Sequence, residues 1–122
     1  MKHYAIGLDY GSLSGRAVLV DVENGNEVAE SVLEYPHAVM TETLPDGTAL
    51  PINSAVQHPQ DYLDVLSFTL RDVITRAGIS PEQVIGVGVD FTSATLLPID
   101  ENLVPLCFNE RFSSHPKAYV TM

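Results

Sequence analysis

One cysteine, no tryptophan and six basic residues against sixteen acidic ones mark this 122-residue chain first by what it is short of. A lone Cys107 cannot close an intrachain disulfide, which points to a reducing cytoplasm and to a free, buried thiol. A formal net charge of −10 repels phosphate backbones, so nucleic acid is not an expected partner. No basic amphipathic stretch suits a membrane surface, and no apolar run reaches the roughly 18 residues that a bilayer span needs. Asp9 interrupts the first apolar segment before a signal-peptide core can form. Low-complexity tracts and internal repeats are also missing, which argues against disorder. The expectation is a cytoplasmic protein without a membrane partner.

What is present is enough for a core, since 45% of the residues are hydrophobic. Tyr4 to Asp9 reads as a buried strand, Gly11 to Gly15 as a tight turn and Arg16 to Asp21 as a second strand. Asn24-Gly25 is a hairpin signal leading into a third strand, Glu27 to Tyr35. From Pro36 to His58 the periodicity dissolves into a long loop with turns at Pro45-Asp46-Gly47 and Pro51. Pro59 opens a helix on which Leu63, Leu66, Leu70, Val73, Ile74 and Ala77 recur at helical spacing, and Gly78 stops it. Ser80 to Gln83 has capping-box spacing. Val84 to Asp90 is apolar enough for a buried, central strand, with glycines that invite close approach of a neighbour or ligand. Thr95 to Ile99 and Leu103 to Leu106 bracket a further hairpin turn.

The fold class is therefore α/β. Its order is a three-stranded antiparallel meander, a helix, a parallel central strand and a hairpin, within a single stretch 1–122. That order belongs to the ribonuclease-H-like core of actin-like ATPases, here incomplete. An incomplete sheet leaves an exposed edge, through which self-association of the chain is expected.

The stretch Gly7-Leu8-Asp9-Tyr10-Gly11-Ser12-Leu13-Ser14-Gly15-Arg16 carries the chemistry. Gly11 and Gly15 permit positive φ and bring backbone N–H groups toward an anion. Ser12 and Ser14 can donate to phosphate oxygens, and Arg16 offers a delocalised cation. Asp9 is compatible with a phosphate if a hydrated Mg²⁺ lies between them. The same residues also fit an ordinary hairpin with Asp9 and Arg16 as a surface pair. Neither a P-loop nor a dinucleotide-binding glycine fingerprint has the spacing found here. His37 and His58 are too isolated for a metal site, and His58 suits the helix start.

The opening stretch resembles the first phosphate motif of the FGGY carbohydrate kinases. Glu34-Tyr35-Pro36-His37, Leu50-Pro51, Gln57 to Leu63 and Gly86 to Thr92 are similar to the branch of that family that phosphorylates L-ribulose. The resemblance covers nearly all of the chain but only the front part of a family member. It implies ATP and Mg²⁺ as cofactors, with Asp9 toward magnesium and Ser12, Ser14 and Arg16 toward the ATP phosphates. Serine stands at position 12 where threonine is more usual. The resemblance also implies sugar contacts from Thr92, Ser93, Ala94 and Thr95, whose small side chains leave room for a ketopentose. Family members often carry a tryptophan-acid-arginine cluster; this chain has Asn109-Glu110-Arg111, equally readable as a solvated charge pair. No catalytic base is assigned in this chain, because the family's aspartate base and second lobe lie beyond residue 122. Two alternatives stand beside this reading: a kinase for another sugar or polyol, xylulose-like, and a non-catalytic binding or assembly module.

Overall fold

The computed structural model describes residues 1–93 and 95–122, arranged as two compact units. The first unit comprises 1–35 and 62–92, the second 36–61 and 93–122.

The first unit is one mixed sheet with one helix. Strands β1 (Tyr4–Tyr10), β2 (Ser14–Asp21) and β3 (Glu27–Glu34) are antiparallel neighbours. Helix α1 (Pro59–Ala77) follows, and strand β5 (Val84–Phe91) then runs parallel to β1, giving the order β3-β2-β1-β5. Alternation sorts the strands: Tyr4, Ile6 and Leu8 of β1 and Ala17 and Leu19 of β2 are buried together with Tyr35, Val65 and Val73. Each large apolar side chain buried in this way stabilises the fold by about 2 kcal/mol.

Helix α1 turns Tyr62, Val65, Thr69 and Val73 to that core, one face at three- and four-residue steps. Thr69 is fully buried without cost because its hydroxyl donates to the Val65 carbonyl at 2.6 Å. Leu63 and Leu66, expected on the buried face, are exposed, since both lie round the same side of the helix from the line through Val65 and Thr69. Arg76 pairs with Asp72 at 2.9 Å in the last turns, and Gly78 ends the helix at φ 65°. A 3₁₀ turn at Pro81–Gln83 then leads into β5, with the Gln83 side chain accepting the Ser80 N–H at 2.9 Å.

Strand β5 departs from the sequence expectation of a buried, central strand. It stands at the sheet edge with Ile85, Val87, Val89 and Phe91 all exposed. Its composition suits burial, but burial needs a covering layer and a neighbouring strand, and no described residue of its own unit supplies either one.

The second unit gives the long loop a core of its own. Met40, Leu44 and Val56 are buried with Cys107, Ala118 and Tyr119. Strands β4 (Val56–Gln57) and β6 (Val120–Thr121) pair antiparallel, and Leu96 bridges to Thr121. The hairpin expected around Asp100 to Asn102 is a reversal with one bridge, Ile99 to Pro105, and no regular strands. Pro98 and Pro105 have no N–H to extend a ladder. Burial pushes the Cys107 thiol up to about 11, consistent with an inert buried thiol. Among the described residues, no helix is long and apolar enough to cross a membrane.

Candidate functional site

The face of the sheet opposite α1 carries the residues that the sequence singles out. Because β1 and β2 pair residue for residue, Asp9 lies beside Arg16 and Gly7 beside Val18. On the other side of β1, the parallel register sets Gly7 against Gly88 and Asp9 against Asp90. Partners in register point to the same face, so Asp9, Arg16 and Asp90 stand in one row across three strands. They line a shallow groove of about 370 Å³ with Gly7, Val18 and Gly88. A Cβ placed on Gly7, Gly86 or Gly88 meets nothing within 4 Å. The glycines therefore keep the groove floor low, and no part of the described chain fills it.

Charge in this row is mixed. Adjacent strands lie about 4.8 Å apart, so two carboxylates in register repel one another unless a cation stands near both. Arg16 stands in register beside Asp9 alone, and its guanidinium leans to Glu30, two residues along the neighbouring strand, at 3.6 Å. Both partners are about half exposed, and such a pair contributes little and is easily exchanged for another anion. The Asp9–Arg16 surface pair of the alternative, ordinary-hairpin reading thus gives way to Arg16 with Glu30.

The hairpin tip adjoins this row. The Gly11 N–H donates to the Ser14 carbonyl at 2.9 Å, closing the turn that carries Ser12 and Leu13. Neither Gly11 nor Gly15 adopts positive φ; the glycines that do are Gly25, Gly47 and Gly78. Gly15 is required for space instead, since a Cβ there would lie 2.2 Å from Val65 Cγ1.

The tip is braced from behind by Tyr35, buried just past the end of β3. Its hydroxyl donates to the Gly11 carbonyl at 2.6 Å, and its N–H donates to the Leu13 carbonyl at 3.0 Å. Tyr62 packs edge-on against both Tyr35 and Tyr10, and Tyr10 donates its hydroxyl to the Tyr62 carbonyl at 2.8 Å. Burial raises the Tyr10 phenol above its ordinary value, so it stays a protonated donor.

The proposed sugar-contact residues follow β5. Thr92, half-buried, closes the first unit, while exposed Ser93 and half-buried Thr95 belong to the second. Ala94 lies outside the described residues. Glu110 and Arg111 are exposed in a turn, with the Arg111 guanidinium 5.3 Å from the centre of the Phe112 ring. His58 Nδ1 accepts the Gln60 N–H at 3.1 Å at the start of α1, a structural use. His37 Nδ1 lies 2.6 Å from Asp61 Oδ1, the His37 N–H donates to Asp61 Oδ2 at 3.0 Å, and the two imidazoles stack. Among the described residues, no group of three or more His, Cys, Asp or Glu could hold a metal ion.

Asp90, at the end of its strand, reads from sequence as able to orient a sugar or a water or to cap the following turn; its pairing with Asp9 and the bracing role of Tyr35 do not read from sequence. Asp90 is the in-register partner of Asp9, and its signal is the repetition of Gly-Leu-Asp at 7–9 as Gly-Val-Asp at 88–90. Tyr35 has no such signature, because its role depends on where β3 ends relative to the hairpin tip.

A sheet of this order is shared with solved structures of sugar kinases, a likeness of fold. A gluconate kinase from Lactobacillus acidophilus superposes on 84% of this chain, and 18% of its own, with TM-score 0.67 at 19% identity. A ligand-bound xylulose kinase from the same species gives 0.65 over 83% of this chain and 18% of its own, at 20% identity. No protein-family model matches the chain. By sequence, the chain is similar from end to end to ribulokinases. The Shouchella clausii ribulokinase is 53% identical over 100% of this chain, and the Geobacillus thermodenitrificans ribulokinase 48% identical over 99%. The Halalkalibacterium halodurans ribulokinase is 43% identical over 98%. The chain spans about a fifth of the length of these relatives, 22% of the first two and 21% of the third.

Proposed function

We propose that this chain supplies the phosphate-binding hairpin and part of the sugar site of an ATP-dependent ketopentose kinase that converts L-ribulose to L-ribulose 5-phosphate. The observation that carries the reading is the row Asp9–Arg16–Asp90 beside the braced hairpin, in a chain similar throughout to ribulokinases. ATP phosphates lie along the hairpin, where the Ser12 and Ser14 hydroxyls donate to their oxygens. Arg16 exchanges its weak partner Glu30 for a phosphate oxygen, a stronger charge-assisted contact. Residues 1–122 are then the leading part of the kinase's N-terminal domain.

The residues present fit a hydrated Mg²⁺. Asp9 is an exposed carboxylate over an open groove, a donor for a hard cation that keeps most of its waters. Bound there, the ion supplies charge neutralisation for the transferring phosphoryl group. Asp9 orients its water shell, and Asp90 adds negative charge beside it. Thr92, Ser93, Ala94 and Thr95 receive the ketopentose through backbone and hydroxyl groups. A sugar hydroxyl bonds to the γ-phosphorus, the bond to the β–γ bridging oxygen breaks to release ADP, and the hydroxyl proton passes to a carboxylate base outside residues 1–122.

The test places residues 1–122 in the Shouchella clausii ribulokinase in place of the matching segment, and follows ADP release with L-ribulose and with D-xylulose. The joined enzyme is expected to turn over L-ribulose, and the 122-residue chain alone to be silent. Asp9→Asn or Arg16→Ala should each lower kcat/KM by roughly a hundredfold. A folded joined enzyme that is silent with both sugars sinks the kinase reading; one that prefers D-xylulose moves the substrate.

A further inference from the structure

Tyr35 is a buried side chain that grips the hairpin tip from outside the hairpin. At 3% exposure its ring belongs to the core, while its hydroxyl and its backbone N–H donate to tip carbonyls, those of Gly11 and Leu13. A trans peptide unit points its C=O and the following N–H in opposite directions. Drawing the Gly11 and Leu13 carbonyls toward Tyr35 therefore turns the Ser12 and Ser14 N–H groups away from it. These are the two residues whose hydroxyls carry the phosphate reading. The Gly11 N–H is already committed to the Ser14 carbonyl, which closes the turn, and the tyrosine ties it to the core.

We propose that Tyr35 is a positioning residue for the nucleotide phosphates, holding the Gly11–Ser14 turn in the one shape that receives them. The inference rests on the phosphate reading of the hairpin. The phenol hydroxyl does this work; the ring does not. Tyr35→Phe keeps the edge contact to Tyr62, 5.4 Å between ring centres, and removes the hydroxyl's bond to Gly11. The tip then samples other orientations, and part of the ATP binding energy is spent on restoring one of them.

In the joined enzyme, Tyr35→Phe is expected to raise the KM for ATP about fivefold, the scale of one net hydrogen bond. The KM for L-ribulose and kcat should stay within about twofold, which separates positioning from general loss of fold. In the 122-residue chain itself, the same substitution should speed hydrogen exchange at the Gly11 amide while the β1–β5 ladder keeps its protection. An unchanged KM for ATP overturns the proposal, as does unchanged exchange at Gly11. Equal losses toward ATP and L-ribulose also overturn it, because they mark a structural role only. A silent unsubstituted joined enzyme is a different failure, since it removes the kinase reading and this inference with it.

Discussion

Gly15 shows why a glycine near a phosphate motif need not be there for its φ. The sequence suggests a left-handed turn position; the structure shows an ordinary φ and a collision, 2.2 Å, between any Cβ and Val65 Cγ1. Gly15→Ala should therefore destabilise the fold by about 1–3 kcal/mol, read as a lower urea midpoint at unchanged slope. Adding Val65→Ala removes the colliding methyl groups, so the double substitution should cost less than the sum of the two single ones. Strict additivity would mean that the strand and helix move apart freely, and that close approach is not the reason for glycine. Asp9, Ser12, Ser14 and Arg16 could be placed together around one hairpin from spacing, because a hairpin brings near neighbours together. Asp90 could not be paired with Asp9, since parallel register across 81 residues depends on the crossover through α1.

At the scale of elements, legibility followed how local the determinants are. The bounds of α1 could be read from Pro59 and Gly78, which act within a turn of their own positions. The loop 36–58 could not be read as half of a core, because Met40, Leu44 and Val56 find their partners, Cys107, Ala118 and Tyr119, some sixty residues away. The same loop contains a titratable tie. The Ser114 hydroxyl and, after it, Thr48 hold the Asp46 carboxyl down to about 2, from a usual 3.8. The Thr48 N–H donates to Asp46 Oδ1 at 2.9 Å, and the Ser114 hydroxyl to Asp46 Oδ2. A carboxylate whose pKa falls on folding contributes stability that is present above its unfolded value and lost as pH falls through its folded value. The turn Leu44 to Thr48 should thus loosen between about pH 4 and pH 2, seen as faster exchange at the Thr48 amide. Asp46→Asn should abolish that pH dependence. The effect is small because Asp46 is fully exposed, and an identical profile in both proteins would show that the tie carries no stability.

For the whole molecule, the two edges of the sheet are unequal. Strand β3 carries Glu27, Glu30 and Glu34 along its length, and like charges of that kind discourage a second copy from pairing there. Strand β5 has one acid, Asp90, and its Val87, Val89 and Phe91 share a face with the core residues Ile6 and Leu8 and with Tyr10. Phe91 is 69% exposed and Val89 56% exposed, so the apolar layer that continues the core lies open to water beside unpaired backbone groups. The β5 edge is thus both sticky and templated, whereas net charge −10 on each copy acts only as diffuse repulsion, screened beyond about 8 Å at physiological salt. The 122-residue chain should therefore self-associate through β5, with a mass by light scattering that rises with concentration and rises further with added salt. Val87→Lys places a charge on that layer without touching the groove on the opposite face, and should return the chain to a monomer. A monomeric mass at high concentration and high salt in the unsubstituted chain would show that the edge is protected by its own dynamics. Association that persists in the Val87→Lys chain would move the contact to another surface, such as the exposed helix neighbours Leu63 and Leu66.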